Sequence, residues 1–60
     1  MKFKENERVK INSHFPNADH IGKEGTIVTA TVWEIYYVRT DDMDPDGGGF
    51  KCYDHELDKL

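Results

Sequence analysis

The sequence predicts a small all-β barrel, and three observations carry that prediction. The run Thr26-Ile27-Val28-Thr29-Ala30-Thr31-Val32 is almost wholly β-branched, which favours extended over helical backbone. Glu7-Arg8-Val9-Lys10-Ile11 alternates polar and apolar residues, the period of a half-buried strand. Turn formers separate such runs: Gly22, Gly25, Pro45 and Gly47-Gly48-Gly49. Short strands divided by Gly/Pro turns imply a sandwich or a barrel. With 60 residues, a strongly bent barrel is the solution that leaves the least exposed edge.

The length fits one domain. A chain of this size buries only about 60% of the surface it exposes when unfolded, so the core must be built from few side chains. Hydrophobic residues make up 37% and charged residues 33%, polar for a globular chain but too rich in Val, Ile and aromatics to stay disordered. Cys52 is the single cysteine; an intramolecular disulfide is ruled out, and a reducing, cytoplasmic setting is expected. Met1-Lys2-Phe3-Lys4-Glu5 has no apolar run of the signal-peptide kind. No stretch approaches the roughly 20 apolar residues that span a bilayer. The net charge of −4 is uneven. Residues 1–30 carry five Lys/Arg against four Asp/Glu, and residues 31–60 three against eight. An acidic chain repels a phosphate backbone at long range and favours a basic protein partner.

Taken in order, residues 1–6 are expected to be a flexible lead-in, with Phe3 able to dock on the barrel, and residues 7–60 the barrel domain. Glu7–Ile11 is the first strand. Asn12 to Ile21 is a long loop rich in turn formers, yet it holds His14, Phe15, His20 and Ile21, so it should be functional or packed on itself. Gly22 and Gly25 suit positive φ or a bulge at the entry to the central strand. Residues 26–40 are too long for one strand of so small a domain, and a turn must fall between residues 30 and 34. Residues 41–49 form a loop by composition. Phe50–Tyr53 is a short strand, and Asp54 suits the cap of a single 3-10 turn reaching Leu57. Asp58–Leu60 can supply a last strand, giving about five in all. Val9, Ile11, Ile27, Val38, Cys52 and Leu57 are the expected core, with Tyr36 at core or rim.

Four pieces of sequence resemble one known family. Val9-Lys10-Ile11, Gly22-Lys23-Glu24-Gly25-Thr26-Ile27-Val28, Tyr36-Tyr37-Val38-Arg39 and Tyr53-Asp54-His55-Glu56-Leu57 look like an SH3-like barrel of the KOW type. The resemblance covers roughly residues 7–60. It implies a first strand, a long loop, a Gly-x-x-Gly turn, a hairpin and a closing segment with a 3-10 turn. The chain also resembles small stand-alone SH3-like proteins of bacteria, phages and prophages. For function, the resemblance points to the machinery of transcription or translation.

Motifs for chemistry are weak. Asp42-x-Asp44-x-Asp46-Gly47 matches the first half of a calcium loop, but position twelve is Tyr53 where a bidentate glutamate is needed, and Pro45 stiffens the middle. His14, His20, His55 and Cys52 lack the paired spacing of a zinc site. Cys52 and His55 alone do not make a nucleophile and base, which also require oxyanion donors in a cleft. No metal, no cofactor and no enzymatic activity are therefore expected.

The aromatics exceed what a small barrel can enclose. Trp33, Tyr37 and Phe15 become candidates for a solvent-facing patch, the composition of interface hot spots. The functional expectation is a non-catalytic protein-binding module. Its surface would comprise Phe15, His20, Trp33, Tyr37 and Arg39, with Asp41, Asp42, Asp44 and Asp46 steering a basic partner. A phage-type inhibitor of a host machine, monomeric and cytoplasmic, fits this profile. The alternative is a KOW-like nucleic-acid-binding module using Arg8, Lys10, Lys23, Arg39 and the aromatics as stacking platforms.

Overall fold

The computed structural model describes residues 2–60. Five strands form one antiparallel sheet: β1 (Arg8–Ile11), β2 (Glu24–Ala30), β3 (Ile35–Thr40), β4 (Phe50–Tyr53) and β5 (Leu57–Lys59). Their order is β4-β3-β2-β1-β5. The sheet curls into a half-barrel, so the all-β expectation of a small five-stranded barrel holds. The curl is imposed by burial: one face of every strand carries the core. Phe3, Val9, Ile11, Ile27, Tyr36, Val38, Cys52 and Leu57 are all buried, and among them are all six residues that alternation assigned to the interior.

The turn between β2 and β3 occupies residues 31–34 without a glycine. The Thr31 N–H donates to the Ile35 carbonyl at 3.1 Å, and the Thr31 hydroxyl donates to the same oxygen at 2.9 Å. Glu34 takes the left-handed conformation, φ 58°, a cost of roughly 1–2 kcal/mol for a residue with a Cβ. Its carboxylate offsets part of that cost by accepting from the Lys2 N–H at 3.0 Å and from the Tyr36 hydroxyl.

Of the two turn glycines, only Gly22 has positive φ, at 89°. Gly25 lies inside β2 between Val9 and Thr40, and a Cβ there would stand 2.6 Å from the Arg39 carbonyl oxygen. Gly25 is thus required by close strand approach and not by its φ. The bulge falls three residues later. Ile27 pairs with Val38 but Thr29 with Tyr37, so Val28 is the extra residue. This resets the alternation: Ala30, across from Tyr36, turns inward and packs on the core.

β4 and β5 are opposite edges of the sheet, joined by a 3-10 turn at Asp54–Glu56. The expected cap, Asp54, is the turn's first residue. The N-cap is instead Tyr53, whose N–H is accepted by the Glu56 carboxylate reaching back from the turn's third residue at 2.8 Å. A second 3-10 turn, Ala18–His20, organises the long loop after β1, with the Asn17 side chain accepting the Asp19 N–H at 3.0 Å.

In the lead-in, Phe3 docks on the barrel, as its sequence allowed. Lys2, Phe3 and Asn6 hydrogen-bond to the barrel through their backbone N–H groups; Met1 lies outside the described residues. Phe3 is 1% exposed and meets Tyr36 edge-on at 5.4 Å. Asn6 donates its N–H to the Ile27 carbonyl at 2.8 Å.

Candidate functional site

Tyr36 and Tyr37 are adjacent on β3 and face opposite ways. Tyr36 is fully buried. Its hydroxyl oxygen accepts the Lys2 and Phe3 N–H groups at 3.0 and 3.1 Å and donates to Glu34. Burial, then the Glu34 carboxylate, pushes the phenol above its ordinary pKa, and the Tyr36 hydrogen bond holds Glu34 below the usual carboxylate range. Tyr37 points out and is 38% exposed.

Residues paired across antiparallel strands share a face, so the register defines the outer surface around Tyr37. β3 contributes Ile35, Tyr37 and Arg39. β2 contributes Thr26 opposite Arg39 and Thr29 opposite Tyr37. β4 contributes Lys51 opposite Tyr37 and Tyr53 opposite Ile35. Tyr53 is 42% exposed, stacked parallel to His55 at 6.1 Å with Lys51 Nζ 5.5 Å from its ring centre. Val32 and Trp33, in the β2–β3 turn, are 75% and 76% exposed. The fold thus gathers a face of exposed apolar and aromatic groups with two cations, Arg39 and Lys51.

Of the residues singled out from sequence, Tyr37 and Arg39 lie on this face, with Trp33 in the turn that leads into β3. Phe15 and His20 do not join them. They fold onto the inner side, where His20 stacks on Phe50 at 4.4 Å and Phe15 tilts against Phe50 at 5.4 Å. His20 Nδ1 is enclosed with no hydrogen-bond partner. Phe15 and Phe50 pack against the core. Lys51 and Tyr53 had not been singled out. The signal for them was present: if Cys52 points in, its neighbours on an extended strand point out.

The acidic loop is divided as well. Asp41 accepts two bonds from the Arg8 guanidinium, both at 2.7 Å, and that guanidinium holds its carboxyl below the usual range. Asp42 accepts from Lys23 Nζ at 2.6 Å and from the buried Thr40 hydroxyl at 2.6 Å, which bring its pKa down to about 2. Asp41, Asp42 and Lys23 line a shallow depression with Gly22 and Glu24. Their charges are matched within the chain. Asp44 and Asp46 have no cation partner among the described residues.

The Cys52 thiol is fully buried, donates weakly to the Phe50 carbonyl at 3.9 Å, and is pushed up to about 12 by burial and then by Glu56. His55 projects outward with its side chain 65% exposed. The two do not form an activated pair, since the nucleophile would have to be a thiolate within reach of solvent and base. No cluster of three or more His, Cys, Asp or Glu that could hold a metal ion occurs among the described residues. No helix among them is long and apolar enough to cross a membrane.

Comparison with family models, with curated proteins and with solved structures gives no match for this chain.

Proposed function

We propose that the chain is a non-catalytic protein-binding module that docks a partner on the outer face of β2, β3 and β4. The observation that carries this reading is the exposure of Val32, Trp33, Tyr37 and Tyr53 in a chain of this size, where apolar groups are scarce and the core would gain from them. Aromatic groups in such a setting are the usual anchors of interfaces. The resemblance to KOW-type SH3-like barrels makes bacterial transcription or translation machinery the first partner class to test. A cytoplasmic, phage-type modulator of such a machine is the form that fits a small acidic chain. Steering by the acidic loop rests on Asp44 and Asp46, because Asp41 and Asp42 are already matched by Arg8 and Lys23.

The test is affinity capture from the source cell with the parent chain and with a Trp33→Ala/Tyr37→Ala variant of retained fold. Loss of a specific captured protein in the variant supports the surface; identical capture refutes it.

A second reading, nucleic-acid binding, is favoured by one arrangement: Lys51 over Tyr53, with His55 stacked beyond it. Stacking rings beside cations suit single strands. It requires binding that weakens steeply with salt, read by fluorescence titration with single-stranded and duplex oligonucleotides at low salt.

A further inference from the structure

The outer face has a charge opposite to that of the chain as a whole. Its central cations, Arg39 and Lys51, have no carboxylate in contact among the described residues. The pairing partners around them are Thr26, Thr29, Tyr37 and, one pair on, Ile35 with Tyr53, none of them acidic. The nearest carboxylates in register are Glu24 and Asp41 at the margin. Both are engaged by Arg8, at 3.8 and 2.7 Å. The face therefore presents two unmatched positive charges on an aromatic surface, within a chain of net charge −4.

From this we infer that the docking segment is an extended acidic and apolar peptide, with carboxylates on Arg39 and Lys51 and apolar side chains on Ile35, Tyr37, Tyr53 and Trp33. The inference rests on the protein-binding reading above and gives the segment docked on this face an acidic chemistry, in place of the basic one that the net charge of the chain suggested. Covering Arg39 and Lys51 with a neutral or basic surface would strip water from two charges without return. The spacing also fits. Lys51 is directly opposite Tyr37 and diagonal to Arg39, and diagonal positions on a sheet lie about 7–8 Å apart. Alternate side chains of an extended peptide repeat at roughly 6.6 Å. A Glu-x-Glu step therefore spans the two cations, and further alternate positions fall over the tyrosines. A nucleic acid fits less well. Two cations neutralise little of a phosphate chain.

The test is NMR titration of the isotope-labelled full chain with three probes of matched length. The first is Glu-Thr-Glu-Thr-Phe-Thr-Leu, the second the same peptide with lysine in place of glutamate, and the third an oligothymidylate. The expected result is that the glutamate peptide binds most tightly and shifts the amides of Ile35, Tyr37, Arg39, Lys51 and Tyr53. In the Arg39→Glu/Lys51→Glu variant it should bind roughly tenfold more weakly, the scale of two exposed charge contacts, while the lysine peptide gains. An Arg39→Ala/Lys51→Ala variant repeats the loss without reversal and serves if the first does not fold. Equal or tighter binding of the lysine peptide at the same amides overturns the acidic partner and leaves the binding module standing. Tightest binding of the oligothymidylate replaces both with the nucleic-acid reading. If no probe moves these amides, the face is not a docking site and both proposals fall.

Discussion

The two faces of β3 differ more than any two strands do. Inward, Tyr36, Val38 and Thr40 are at most 1% exposed, and the hydroxyls of Tyr36 and Thr40 are hydrogen-bonded. Outward, Ile35, Tyr37 and Arg39 are partly or well exposed. Two tyrosines one residue apart thus have unrelated roles. One is a structural post whose polar tip is buried and bonded, as such tips must be. The other presents its ring to solvent. Residue type does not separate the buried role from the exposed one here; orientation does.

That division can be broken from its strongest side first. Tyr36→Ala removes the largest fully buried side chain and should cost about 3–5 kcal/mol, enough to unfold a domain this small in thermal or urea denaturation. If it melted like the parent, the inner face would not be the structural one. Gly25→Ala sets a methyl against the Arg39 carbonyl and Thr40. It should lose roughly 1–3 kcal/mol of stability in the same assays, whereas Gly48, with open space around it, should accept alanine almost silently. Tyr36→Phe keeps the ring and deletes the hydroxyl. A cost of about 1–3 kcal/mol is expected, with faster amide exchange at Phe3, whose N–H loses its acceptor.

Acid sharpens the contrast. Asp42 is lowered to about 2, and Asp41 and Glu34 are lowered by Arg8 and Tyr36. A carboxylate depressed in the folded state stabilises it fully above its unfolded value, near 4, and that contribution is lost as pH falls through the folded value. The melting temperature should therefore drop between about pH 4 and pH 2, and less steeply in Asp42→Asn. The smallest effect is expected outside: Tyr37→Ala and Trp33→Ala should each change stability by at most about 0.5 kcal/mol. A larger loss would mean that this surface also holds the fold together.

Much of the fold was legible because burial follows alternation where strands are regular. Val9 and Ile11, then Ile27, Val38 and Cys52, could be assigned inward one strand at a time. With Val38 inward, alternation put Tyr36 on the inner face and Tyr37 on the outer one; it left open only whether Tyr36 lies in the core or at its rim, since both faces of β3 carry apolar groups. The bulge at Val28 then brings Ala30 across from Tyr36 on the inner face. The β2–β3 turn was hidden for a different reason. Glu34 takes the conformation a glycine would signal, and its carboxylate is held by Lys2, 32 positions away. The candidate surface was half legible. Tyr37 and Arg39 followed from period two. Phe15 and His20 sit in an irregular loop whose fold-back onto Phe50 no local pattern encodes. Lys51 and Tyr53 were readable from Cys52 but carried no motif to attract notice.

The crossing from β4 to β5 predicts an order of assembly. β2, β3 and β4 join neighbours in the chain, so their ladders close short loops. β5 must instead find β1, pairing Ile11 with Leu57 and Val9 with Lys59, contacts that span most of the chain and cost the most closure entropy. The meander should therefore form first and the β1–β5 seam last. A weakened seam, as in Leu57→Ala, would then leave the folding rate nearly unchanged and show itself as faster unfolding.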